Sequence, residues 1–119
     1  MKKRLDKFTI ESNSLILDAA YKINRNTERT LIVKKNNKAL GVISSGDILR
    51  IILEKKNTFM SIEKYYKKNF KYILKKDYNK AFEYYKKFNI NLIPVVDKKF
   101  NIKDIICSKD IIKKSMLIK

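Results

Sequence analysis

Two stretches decide the fold: Gly41-Val42-Ile43-Ser44-Ser45-Gly46-Asp47-Ile48-Leu49-Arg50 and Asp104-Ile105-Ile106-Cys107-Ser108-Lys109-Asp110-Ile111-Ile112-Lys113. At a separation of 63 residues they set Gly41 against Asp104, Ser44 against Cys107 and Asp47 against Asp110. Just upstream, Thr30-Leu31-Ile32-Val33-Lys34 and Ile93-Pro94-Val95-Val96-Asp97 continue the correspondence at the same separation with no gap. Ala19 and Ala81 extend it with a one-residue difference in length. Self-similarity at a fixed period marks two copies of one supersecondary unit. Halves of about 60 residues are each too small for a large core. No Gly- or Ser-rich linker divides them, so they are expected to pack together.

Each half reads as strand, helix, strand, strand, helix. Phe8-Thr9-Ile10 is a short strand. Ile16, Ala19, Ala20 and Ile23 recur at i, i+3, i+4, i+7, the stripe of an amphipathic helix. Thr30 to Lys34 is a β-branched strand, Asn36-Asn37 a tight turn, and Leu40 to Ile43 the return strand. Ile48, Ile51 and Ile52 line a helix ending near Glu54. Lys55 to Asn69 links the halves, with Ser61 placed to cap a short helix. In the second half Phe70 to Leu74 is a strand and Asp77 caps a helix with Tyr78, Ala81, Phe82, Tyr85 and Phe88 on one stripe. Leu92 to Val96 and Ile102 to Ile106 form the hairpin, and Ile111 and Ile112 lead the last helix. The expected repeats span residues 1–58 and 59–119.

Composition removes classes of chemistry. The 119 residues, 45% hydrophobic, suffice for a folded core. No run nears the roughly 18 apolar residues of a membrane span, and no apolar stretch follows the basic N-terminus as in a secretory signal. Without histidine there is no Ser-His-Asp triad or His-ligated metal, and one cysteine makes neither a disulfide nor a zinc site. Gly41 and Gly46 stand five apart as in a P-loop, but Asp47 occupies the lysine position. No catalytic residue and no metal ligand is assigned. A cytoplasmic location is expected from the lone cysteine.

The net charge of +17 first suggests nucleic acid. However, 25 of the 29 basic residues are lysine, and base-reading proteins lean on arginine's bidentate fork. Lys, Ile and Asn, all encoded by A/T-rich codons, make up much of the chain, a pattern that compositional drift produces without functional selection, so the charge is read as a solvated surface. Lysines and aromatics interleave from Lys64 to Phe88, as a stacking platform would. The common helical stripe of Tyr78, Phe82, Tyr85 and Phe88 is read instead as core or interface.

The Leu31-Ile32-Val33 strand, Asn-Asn turn and Ser44-Ser45-Gly46-Asp47-Ile48-Leu49-Arg50 close resemble the CBS (cystathionine-β-synthase-type) domain. The second half, with Ile93-Pro94-Val95-Val96-Asp97 and Cys107-Ser108-Lys109-Asp110-Ile111, is similar to a more divergent copy. The resemblance implies an α/β (α+β) fold: two β-α-β-β-α CBS repeats about a pseudo-twofold axis, the Bateman module, in pairs that often form homodimers. With Phe8-Thr9-Ile10 and Ile16-Leu17-Asp18-Ala19-Ala20, it extends to pairs preceding mannose-1-phosphate-guanylyltransferase-like domains, implying a sugar nucleotidyltransferase as partner or fused enzyme.

The family's inter-repeat cleft commonly holds adenosyl nucleotides, so AMP, ADP, ATP or a related ligand is the implied cofactor. Matched position by position, Asp47 would bind ribose hydroxyls, Ser44 would lie near phosphate and Arg50 would reach it. Asp110 and Cys107 are the second set, and the backbone of Ile93 and Pro94 would hold an adenine edge. Physically, one carboxylate accepts two ribose hydroxyls in charge-assisted bonds, and a helix N-terminus favours an anion. Ser44-x-x-Asp47 is equally a capping box that needs no ligand. Cys107 is a poor donor and reads as a small buried residue, while Asp104 adds negative charge where the first half has Gly41. The expected function is a non-catalytic regulatory module. A ligand-free dimerisation or assembly module and a basic nucleic-acid-binding domain are the alternatives.

Overall fold

The computed structural model describes residues 2–118. They run in the order α1 (Lys2–Phe8), β1 (Thr9–Glu11), α2 (Ile16–Arg25), β2 (Thr30–Lys35), β3 (Lys38–Ser44), α3 (Ser45–Lys55), a 3-10 turn (Ile62–Lys64), α4 (Tyr78–Phe88), β4 (Leu92–Val96), β5 (Ile102–Cys107) and α5 (Ser108–Ile118). The chain forms two compact units, Met1–Phe70 and Lys71–Lys119.

In the first unit β2 is central, parallel to β1 and antiparallel to β3. Asn36 and Asn37 close the hairpin with φ of 51° and 64°, the left-handed pair that a two-residue turn demands and asparagine tolerates. The predicted stripe of α2 meets the sheet: Ile16, Ala19 and Ile23 join Ile10, Leu31, Val33 and Ile43 in one core with Ile48 and Ile51 of α3. Phe8, expected to open the first strand, instead closes α1. Lys22 holds that helix end, its ammonium donating to the Asp6 and Thr9 carbonyls at 2.8 and 2.7 Å.

Residues 59–70, expected to begin the second repeat, belong to the first unit. Ile62 is fully buried in its core, Ser61 caps the 3-10 turn, and Lys67 exchanges both backbone hydrogen bonds with Val42 at 2.9 and 2.8 Å.

The second unit is built on the β4–β5 ladder, whose register repeats that of β2–β3. Leu92 pairs with Cys107 as Thr30 does with Ser44, Val95 with Asp104 as Val33 does with Gly41, and both ladders slip at the next step. Hence β3 and β5 correspond at 63 residues, whereas β2 and β4 correspond at 62, which corrects the gapless alignment. The extra residue lies in the hairpin loop, where Asp97 Oδ1 accepts the Lys99 and Asn101 N–H groups at 2.9 Å each and Phe100 takes φ 67°.

One other expectation fails and another is met only in part. Phe70 to Leu74 forms no strand: only Ile73 of the run is buried, and its contact shrinks to one parallel bridge to Val95. A single inward residue between exposed Tyr72 and Leu74 does not propagate a ladder. The stripe of α4, read as core or interface, is core only in part. Ala81 is buried and Tyr78 and Tyr84 pack beside it, but Phe82, Tyr85 and Phe88 remain 43, 43 and 52% exposed. Two strands offer too narrow a face for every large ring of a three-turn helix, and the small residue takes the closest approach.

Candidate functional site

At the end of β3 the chain turns into α3 through Ser44, extended at φ −109° and ψ 168°. This helix entry is tied twice. The Ser44 hydroxyl accepts the Asp47 N–H at 3.2 Å, and Asp47 Oδ2 accepts the Ser44 N–H at 2.9 Å and its hydroxyl at 3.0 Å. The capping box expected from the spacing is therefore formed. The other oxygen, Oδ1, accepts from Arg50 at 2.6 Å and lies 3.7 Å from the Lys67 ammonium. The Asp47 side chain is 4% exposed, against 58% for Arg50 and 64% for Lys67. Burial works to raise this carboxyl, but the Ser44 N–H and hydroxyl, the Lys67 charge and the Arg50 bond outweigh it. They hold Asp47 below its ordinary 3.8.

Thus Ser44, Asp47 and Arg50 do come together, joined by Lys67, which the sequence reading did not single out. Its position follows from Gly41. A Cβ there would run into the Lys67 carbonyl oxygen and the Tyr66 ring, so the glycine admits the segment that pairs with Val42 and presents Lys67 to Asp47. Only the close approach itself could have revealed this, since Lys67 is one lysine in a lysine-rich run.

The corresponding corner of the second unit keeps half the arrangement. Asp110 Oδ2 accepts the Cys107 N–H at 2.9 Å, as in the first unit, with the Cys107 sulfur at 3.5 Å in place of the hydroxyl. Cys107 is buried, as read. Asp104, at the position of Gly41, pairs through Oδ2 with Lys76 at 2.8 Å and accepts the Ile105 N–H through Oδ1 at 2.8 Å. That bond raises the Lys76 ammonium above its ordinary 10.5, against the opposing effect of burial. Ile93 and Pro94 are fully buried in β4, and the Pro94 carbonyl accepts the Ile73 N–H at 3.1 Å.

Among the described residues no group of three His, Cys, Asp or Glu side chains could hold a metal ion, and no helix is long and apolar enough to cross a membrane. Between α2 and α3 lies a cavity of about 290 Å³ with an apolar floor that includes Ala20, Ile23 and Ile48 and a rim that includes Asn24, Arg29 and Ser45.

Duplicated ladders, each leading into a helix through an N-terminal aspartate cap, define a mixed α/β CBS-pair fold. Residues 1–54 match the family model of the CBS domain. The chain is similar, at 15% identity and TM-score 0.77, to a CBS domain pair/ACT domain protein from Thermotoga maritima, over 93% of this chain and 89% of that one. It is similar at 25% identity and TM-score 0.75 to the CBS domain pair of protein MJ0100, solved in complex with 5′-methylthioadenosine and S-adenosyl-L-methionine, over 94% and 90%. Protein MJ1225 from Methanocaldococcus jannaschii matches at 24% identity and TM-score 0.78, over 92% of this chain and 46% of that one. No curated protein sequence matches the chain.

Proposed function

We propose that this chain is a regulatory module without catalysis of its own. It takes an adenosyl nucleotide at the Ser44–Asp47 corner and conveys the occupancy to a partner or fused enzyme, such as a sugar nucleotidyltransferase. The observation that carries the reading is the convergence of Arg50 and Lys67 on one buried carboxylate beside Ser44. Two cations for one anion leave surplus positive charge at a helix N-terminus, where the helix dipole also favours phosphate. Arg50 is exposed enough to swing towards phosphate, releasing Asp47 Oδ1 to ribose hydroxyls. The adenosyl class is supported by the MJ0100 complex. Regulation follows if the ligand binds one arrangement of the module better than another.

The test is a thermal-shift panel of AMP, ADP, ATP, S-adenosylmethionine and GTP. A ligand at 100 times its Kd stabilises by about 2.7 kcal/mol, a rise of roughly 10 °C for a chain of this size. Adenosyl ligands should produce it and Asp47→Ala should abolish it. A flat panel refutes the reading.

A second reading, a ligand-free assembly module, is favoured by one observation: the oxygens of Asp47 are already engaged by its own chain, so the box is complete without a ligand. Leu49 and Leu53 of α3, 58 and 67% exposed, would then bury themselves in a homodimer. A flat panel together with a dimer in sedimentation velocity would establish that reading.

A further inference from the structure

We propose that α4 of the second unit is a platform for single-stranded nucleic acid, distinct from the nucleotide corner of the first unit. The stripe that would have been core stands in solvent: Phe82, Tyr85 and Phe88 are 43, 43 and 52% exposed. They follow one another every three residues, about 4.5 Å along the helix axis, so successive bases of a flexible strand can meet successive rings. Lysines stand over the same aromatics, Lys86 at 5.4 Å from the Phe82 ring centre and Lys71 at 4.6 Å from that of Phe88. Stacking surface and phosphate-binding charge thus alternate within one patch, as sequence-tolerant single-strand binding requires.

The charge selects the occupant. From Lys71 to Phe88, all within the second unit, there are six lysines against Asp77 and Glu83. A second copy docking by this face would set lysines against lysines, a costly like-charge contact. An anionic membrane would satisfy the charge, but α4 reads YNKAFEYYKKF, and its only wholly apolar side chains are Ala81, Phe82 and Phe88, a small area to bury in the acyl boundary. A single strand supplies both phosphates and π faces. The scarcity of arginine is no obstacle, because following phosphates needs point charges and only base-edge recognition needs the fork.

The test is fluorescence anisotropy of the full chain with labelled oligouridylate and oligothymidylate of about 20 nucleotides, a duplex of equal length, and phosphatidylserine vesicles, each over a range of salt. Single strands should bind in preference to duplex. If Lys71, Lys80, Lys86 and Lys87 meet phosphates, log Kobs should fall with log salt at a slope of about −3. The variant F82A/Y85A/F88A should weaken binding about 100-fold, stacking being worth roughly 5-fold or more per ring, and leave the slope unchanged. These side chains are exposed, so its circular dichroism should match wild type. Independently, K86Q/K87Q should reduce the slope by about 1.4. The proposal is overturned by equal binding of duplex, by binding that the ring variant does not weaken, by vesicle binding without oligonucleotide binding, or by a dimer that the ring variant dissociates.

Discussion

Replacing Asp47 with alanine removes an acceptor that three residues of the chain share. The Ser44 N–H and hydroxyl, bonded to Oδ2 at 2.9 and 3.0 Å, lose their partner at a side chain only 4% exposed. Ser44 itself is half-buried, so stranding its two donors costs about 1–3 kcal/mol in total. The Arg50 and Lys67 pairs add little, because both cations are more than half exposed and such pairs are worth below about 1 kcal/mol and are screened by salt. The Ser44 hydroxyl still accepts the N–H of residue 47, so half the box survives. The net expectation is a loss of about 2–3 kcal/mol, near 10 °C in Tm. Asp47→Asn keeps an acceptor for Ser44 and should cost about 1 kcal/mol. The pH dependence is a second check. Because the folded carboxyl lies below 3.8, its charge contributes stability fully above that value and loses it as pH falls through the folded pKa. The gap between wild type and Asp47→Asn should therefore close in acid. Urea denaturation followed by circular dichroism at pH 7 and pH 3 reads both effects. An alanine variant within about 0.5 kcal/mol of wild type at pH 7, or a gap to the asparagine variant that does not change with pH, would refute the reasoning.

Two further predictions concern the surroundings of the two corners. Gly41→Ala should destabilise by about 2–4 kcal/mol, since its Cβ meets backbone of residue 67, and hydrogen exchange should speed up at the Val42 and Lys67 amides. Lys76→Met should destabilise modestly at neutral pH, its partner Asp104 being buried and its own side chain about half exposed. Because the folded ammonium titrates above 10.5, that contribution is full below this value and is lost as pH rises through the folded pKa. Denaturation curves of the two proteins should therefore converge in strong alkali.

The elements that were legible are those whose pattern the backbone itself enforces. The hairpins announce themselves through β-branched runs and, in the first, an Asn-Asn turn needing two left-handed residues. The first long helix shows its stripe because Ile16, Ala19 and Ile23 are small or slender enough to reach the sheet together. The capping box was legible for the same local reason, since Ser44 and Asp47 stand three apart. What depended on partners was not. Periodicity placed Tyr85 and Phe88 with Ala81, but burial depends on how wide a sheet lies opposite. Phe70 to Leu74 had strand composition but only one residue facing inward. Lys67 was hidden because its place is set by an approach to Gly41 from 26 residues away in sequence.

That approach also explains why duplicated ladders have ended with unlike corners. At Gly41 the missing side chain admits the segment containing Tyr66 and Lys67, so the first corner gains a cation from a distant stretch of chain and ends with two positive groups on one carboxylate. At Asp104, the same position in the register, a carboxylate stands instead and takes Lys76 for itself. An approaching phosphate therefore meets surplus positive charge at the first corner. At the second it meets an acidic side chain and a cysteine where a hydroxyl would donate. The backbone geometry of the cap is the same in both, with an N–H at 2.9 Å from the aspartate, so the helix entries alone do not distinguish them. Charge does, and under the proposed function it favours one bound nucleotide per chain, at Asp47.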